Sequence, residues 1–103
     1  MNNKRRKKIN EIITSTLTNV DFVFLQNRIE KILDEEQEAF DNLPESLQYT
    51  TNGEKSEEAI CLLEEALEYI EEYLNSSIDN KTNKEVIEET IDSIINCLKD
   101  AIV

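Results

Sequence analysis

The stretch EKSEEAICLLEEALEYIEEYLNS, residues 54–76, carries the clearest structural signal in this chain. Its large aliphatic residues recur every three or four positions, which is the spacing of one face of an α-helix. This seam consists of Ile60, Leu63, Leu67, Ile70 and Leu74. Ala59, Leu62, Ala66, Tyr69 and Tyr73 lie beside it and widen the apolar face. An apolar face this wide covers more than one neighbour, so the stretch predicts a helix of a bundle rather than of a two-stranded coil.

Two further segments, residues 9–42 and 83–102, show the same periodicity. In the first, the downstream series is Phe22, Leu25, Ile29, Ile32, Ala39 and Phe40, and the upstream series is Ile9, Ile13, Leu17, Val20 and Phe24. These series do not share one heptad frame, and the residues from Thr14 to Asn19 favour helices poorly. Two alternatives therefore stay open: one long, bent helix, or a short basic helix followed by a longer one. The seam of the last segment is Ile87, Ile91, Ile94, Leu98 and Ala101.

These segments predict an all-α protein with a single helical domain over residues 1–103. We expect a three-helix bundle in which a basic arm (1–8) precedes helix 1 (9–42), helix 2 (54–76) and helix 3 (83–102). The connections are loops at 43–53 and 77–82. Pro44 ends the first helix, Gly53 is expected to adopt a positive φ, and Thr82 is expected to cap the third helix. The long first helix and the coiled-coil-like seams also predict a homodimer.

The charge of the chain is strongly negative and unevenly distributed. There are 23 acidic residues and 11 basic ones, giving a formal net charge of −12. Five of the bases stand together at Lys4–Lys8, which leaves six bases for the remainder of the sequence. Such a surface repels nucleic acid and attracts basic partners. We therefore expect a protein partner with a basic surface and no direct binding to nucleic acid.

Residues suited to catalysis or metal binding are scarce. The chain has no histidine, so a nucleophile would lack its usual base, and no enzymatic activity is expected. Cys61 and Cys97 stand 36 positions apart in apolar stripes. This spacing favours two buried, reduced thiols over a metal site or a disulfide framework. No cofactor and no metal are expected.

The sequence also carries features that bear on location. No apolar run approaches the roughly 18 residues that cross a membrane, and polar residues interrupt the segment after the basic start. We expect no membrane association and no signal peptide. Reduced cysteines favour a cytosolic location, and a composition rich in Ile, Asn, Lys and Glu suggests an AT-rich coding sequence.

Acidic residues on the predicted helices are the first candidate for binding a partner. They are Asp34, Glu35 and Glu38 in helix 1 and Glu57, Glu58, Glu64, Glu65, Glu68, Glu71 and Glu72 in helix 2. Glu36 and Asp41 are assigned to the same outer face of helix 1. One interpretation is an exterior that keeps the protein in solution. The other is a mimic of nucleic acid, whose carboxylates take the place of phosphates in a basic groove.

The segment FDNLPESLQY, residues 40–49, is the second candidate because heptad packing does not require it. Its apolar members include Leu43, Leu47 and Tyr49. In one interpretation these side chains, with Phe40, close the end of the bundle. In the other they form an exposed apolar docking site, since connecting segments often carry function.

Three segments of the chain together resemble a group of small acidic helical proteins encoded by bacteriophages and mobile elements. The segments are RRKKI (5–9), DEEQEAFDNLPESLQ (34–48) and GEKSEEAI (53–60). The resemblance covers roughly residues 4–74 and ends where residues 75–81 interrupt the helical pattern. It implies no shared catalytic activity and no site residues. It does imply a phage-type accessory protein, a class that includes inhibitors of host defence systems.

Three hypotheses about function follow. The leading one is a non-enzymatic accessory protein that binds and inhibits a host defence protein, with acidic helices mimicking nucleic acid. The alternative is a structural or assembly protein that holds partner helices through coiled-coil seams. The third is a small nucleic-acid binder that uses the basic arm at residues 1–8.

Overall fold

The computed structural model of this protein describes residues 1–18 and 21–102, with the side chains of all of these except residues 16–18, 52 and 80. The described residues form helices and no strands, which confirms the all-α prediction. In chain order the helices are α1 (Asn3–Thr18), α2 (Phe22–Asp41), α3 (Glu45–Gln48), α4 (Thr51–Leu74), α5 (Ile78–Thr82) and α6 (Lys84–Ala101). The molecule is elongated, with principal extents of 50 × 23 × 18 Å.

The segment predicted as helix 1 contains two helices, α1 and α2. Asp21 has an extended backbone with φ −118° and ψ 104°, and its side chain accepts a hydrogen bond from the amide of Phe24 at 3.1 Å. This is N-cap geometry, so α2 begins afresh after Asp21. Of the two alternatives, the structure has a short basic helix before a longer one, and most of the predicted arm at 1–8 belongs to α1. Val20 and the side chain of Leu17 lie outside the described residues.

The hydrophobic core lies where the two longest helices, α2 and α4, meet α1 and α6. Helix α4 packs most extensively against α6 and next against α2, while α1 lies against α2 and α6. The large aliphatic residues that are fully buried are Ile9, Ile12, Ile29, Leu63, Ile70, Ile94 and Leu98. Several belong to the predicted seams, which therefore face one another within a single chain. Phe24, which closed the upstream series, is instead 59% exposed.

The third long helix is capped by a different residue from the one predicted. The side chain of Asn83 accepts hydrogen bonds from the amides of Glu85 at 2.9 Å and Val86 at 3.4 Å. Thr82 instead donates its hydroxyl to the carbonyl of Ile78 at 3.0 Å, at the end of α5. The predicted cap was therefore wrong by one residue, because the preceding loop contains the short helix α5 and Thr82 belongs to it.

Gly53 is needed for close approach and not for an unusual backbone angle. No described glycine has a positive φ, so that prediction was wrong. Gly53 is buried in the first turn of α4, directly beneath the end of α3. A Cβ atom at this position would lie 2.6 Å from the carbonyl oxygen of Leu47 and closer still to that of Gln48. Both neighbours are backbone atoms, which cannot rotate away.

Substituting alanine at this position tests that close approach. Gly→Ala within a helix usually stabilises a protein by up to about 1 kcal/mol. Here the clash with two carbonyl groups should reverse the sign, and we expect Gly53→Ala to lower the free energy of unfolding by about 1–3 kcal/mol. Urea denaturation measures the change. Thr51→Ala, at an exposed position of the same turn, is the control and should change stability little. A stabilised Gly53→Ala variant would contradict the packing described here.

Candidate functional site

The seven glutamates predicted on helix 2 are all exposed, and they share one side of α4. They are Glu57, Glu58, Glu64, Glu65, Glu68, Glu71 and Glu72. At 100° per residue they fall within an arc of about 140°, opposite the buried seam, and they span about 22 Å of the helix. We call this set the α4 acidic face. Among the described residues, none of the seven forms an ion pair.

The three acids predicted on helix 1 do not join this face. Asp34 and Glu38 are exposed on the side of α2 opposite the buried Glu36, whereas the α4 acidic face points outward from a different helix. Glu35 is partly buried, and both of its carboxylate oxygens lie 3.2 Å from the ammonium group of Lys8 on α1. Because that carboxylate is already paired within the chain, Glu35 is less suited to binding a partner than Asp34 and Glu38 are.

The segment between α2 and α4 is held in place by polar contacts that leave two apolar side chains outside. The side-chain amide of Gln48 donates to the carbonyls of Phe40 at 3.3 Å and Leu43 at 3.1 Å. Leu43 is half-buried, as expected for a residue that closes the end of the bundle. By contrast, Leu47 is 46% and Tyr49 76% exposed. The structure thus separates the three predicted docking residues into one that packs inward and two that face solvent.

Sequence reasoning placed Glu36 wrongly. It was assigned to the outer acidic face of helix 1, yet only 1% of it is exposed. Its carboxylate accepts hydrogen bonds from Arg5 Nε at 2.6 Å and from Ser56 Oγ at 2.6 Å. The α-amino group of Met1 lies 3.3 Å from Oε1. One carboxylate therefore joins α1, α2 and α4, and we call it the Glu36 junction.

The ionisation of Glu36 follows from these contacts. Burial alone raises the pKa of the carboxyl, but the Ser56 hydrogen bond, the Arg5 hydrogen bond and the positive charges of the Met1 amino group and Arg5 outweigh it. The net effect is a pKa below the ordinary value of 4.5, so Glu36 is ionised at neutral pH. A signal for burial was present in the sequence: Glu36 continues the apolar spacing of Ile29 and Ile32.

The basic residues near the N-terminus are divided between internal and external roles. Arg5 and Lys8 pair with Glu36 and Glu35, so both hold α1 against α2. Lys4 and Lys7 are exposed. Two of the five clustered charges are thus committed within the fold, which weakens the hypothesis that residues 1–8 form a free arm for nucleic acid.

The two cysteines have different surroundings. Cys97 is buried, as predicted, and burial together with the charges of Glu65 and Asp100 raises its pKa to about 11. Cys61 is exposed, so the prediction that it is buried was wrong. It lies on the outer side of α4, about 100° around the helix axis from Ile60, the nearest seam residue. The sequence pattern had placed it inside an apolar stripe of the helix.

Comparisons with protein-family models, curated proteins and solved structures gave no match for this chain. In the part of the chain that the structure describes, no group of three or more His, Cys, Asp or Glu residues could hold a metal ion. No helix within residues 1–18 or 21–102 combines the length and apolar character needed to cross a membrane.

Proposed function

We propose that this protein is a non-enzymatic, phage-type accessory protein that binds and inhibits a host defence protein in the bacterial cytoplasm. The α4 acidic face carries the proposal. Its seven carboxylates are fixed on a rigid helix, are exposed, and have no ion-pair partner among the described residues. Asp34 and Glu38 add negative charge on α2.

The density of charge on α4 supports mimicry of nucleic acid. Seven carboxylates over about 22 Å give roughly one charge per 3 Å of helix. One strand of duplex DNA carries a phosphate every ~3.4 Å along its axis. A basic groove shaped for a DNA strand would therefore meet a similar linear charge on α4. Since charged grooves attract opposite charge over long distances, such a partner would associate rapidly with this protein.

Capture from a bacterial lysate tests the proposal. The tagged protein is bound to resin, washed at low salt, eluted at high salt, and the eluted proteins are identified by mass spectrometry. We expect a nuclease, helicase or other DNA-handling protein in the salt eluate, because salt screens exposed charges. Partners that resist high salt and contain helical assembly segments would contradict it.

Exposed apolar residues favour the second candidate function, a structural or assembly protein that binds partner helices. Leu47 and Tyr49 face solvent, and Ile87 and Ile91 on the predicted seam of α6 are only partly buried. Apolar surface of this kind suits a second copy of the chain or another helix. Because of this apolar surface, we also propose that the chain associates with a second copy of itself. Binding through these residues would be insensitive to salt, which separates it from binding through the α4 acidic face.

A further inference from the structure

A cavity between the second half of α4 and the first half of α6 is lined mainly by carboxylate and hydroxyl groups. Its volume is about 250 Å³. Two carboxylates, Glu72 and Glu89, line it from opposite helices, together with five hydroxyl groups, those of Tyr69, Tyr73, Ser76, Thr90 and Ser93. Volumes of small-molecule sites are roughly 300–1,000 Å³, so this space is closer to the size of one side chain.

Four of those five hydroxyl groups already donate a hydrogen bond within the chain. Tyr69 donates to Glu65 at 3.3 Å, and Tyr73 donates to the carbonyl of Lys81 at 2.7 Å. Ser76 donates to the carbonyl of Tyr73 at 2.6 Å, and Thr90 donates to that of Val86 at 2.8 Å. Each oxygen is left with lone pairs to offer, and ionised carboxylates only accept hydrogen bonds. The lining therefore consists mainly of acceptors.

We propose that this cavity receives an arginine side chain of the basic partner, and the proposal rests on the function proposed above. A guanidinium group has five N–H donors and no acceptor, which complements a lining that accepts. Its plane also stacks on aromatic rings such as that of Tyr69, and its fork pairs with carboxylates in a way that the compact lysine ammonium does not. The ring of Tyr73 is held in place for this role by packing against Phe22, with 4.2 Å between the centroids of the two rings.

Binding of methylguanidinium tests the pocket without any partner. The protein is titrated with methylguanidinium chloride and its amide resonances are followed by NMR. We expect saturable shifts concentrated at residues of the cavity, and none with neutral methylurea, which has the same shape but carries an acceptor. Glu89→Gln should weaken the binding about tenfold, because it removes the charge from a charge-assisted hydrogen bond.

Glu88→Gln is the matched control. It makes the same change of charge one residue away, outside the cavity, where the 4.0 Å contact to Lys84 is exposed. Its affinity for methylguanidinium should stay within twofold of the wild type. Equal weakening by both variants, shifts spread evenly over the acidic surface, or a response to methylurea would overturn the inference. If one of these results is found but a DNA-handling protein is still captured in a salt-sensitive way, only the arginine pocket is refuted and the proposed function stands.

Discussion

Replacing Glu36 by alanine is expected to lower the free energy of unfolding by about 3–5 kcal/mol. The substitution leaves the Arg5 guanidinium and the Met1 amino group without the anion that faces them, and it deprives the buried Ser56 hydroxyl of its acceptor. Small domains have a total stability of only about 5–15 kcal/mol, so the loss is a large share of the whole. Urea denaturation followed by circular dichroism measures it.

Glu38→Ala is the control, because Glu38 is an exposed carboxylate two residues further along the same helix. It should change stability by no more than about 0.5 kcal/mol. Equal effects of the two substitutions would mean that the Glu36 junction does not hold the three helices together.

The pH dependence of stability is a second test of the Glu36 junction. The pKa of Glu36 lies below 4.5 in the folded protein, so its ionised form is favoured by folding. The stability that it contributes is complete above the unfolded pKa and is lost as the pH falls through the folded pKa. The difference in stability between wild type and Glu36→Gln should therefore be constant at neutral pH and shrink below about pH 4.5. If the stability difference between the two proteins stays the same in acid, the pKa of Glu36 is not lowered by folding.

Reversing the charge of Glu64, Glu65, Glu68 and Glu72 to lysine is expected to weaken capture of the partner by about 100-fold or more. The four substitutions replace attraction by repulsion, and juxtaposed like charges cost several kcal/mol, where each 1.4 kcal/mol is a factor of about ten. All four side chains are exposed, and lysine favours helices about as well as glutamate does. The circular dichroism spectrum should therefore stay helical. Quantitative recovery of the partner from lysate measures the effect.

A second quadruple variant separates local from general electrostatics. Changing Glu11, Glu30, Glu88 and Asp92 to lysine produces the same change in net charge at exposed positions outside the α4 acidic face. It should retain most of the capture, since it leaves the α4 acidic face intact. Undiminished capture by the α4 variant, or an equal loss of capture in both variants, would show that the partner does not recognise α4.

The features that the sequence predicted well depend on neighbours a few residues away. Helical periodicity identified Ile60, Leu63 and Ile70 as core residues, and they are buried. The same periodicity placed the seven glutamates of α4 on the opposite side of that helix, where the structure has them exposed. Both results follow from 3.6 residues per turn and need no knowledge of which helices meet.

The features that the sequence did not predict depend on contacts between distant residues. The partners of Glu36 are 31 positions away at Arg5 and 20 positions away at Ser56, so periodicity could not show that its charge is matched. The need for Gly53 arises from carbonyl groups at the end of α3, a short helix within the segment 43–53 that the sequence pattern predicted as a loop. The cavity between α4 and α6 likewise requires the antiparallel alignment of two helices before its acceptors come together.

Competition with DNA tests the central claim most directly. The captured partner is purified, bound to labelled duplex DNA, and titrated with this protein while the fraction of bound DNA is followed by fluorescence anisotropy. If the α4 acidic face occupies the DNA-binding surface, the protein displaces the DNA and the quadruple α4 variant does not. A stable ternary complex of partner, DNA and this protein would contradict the account.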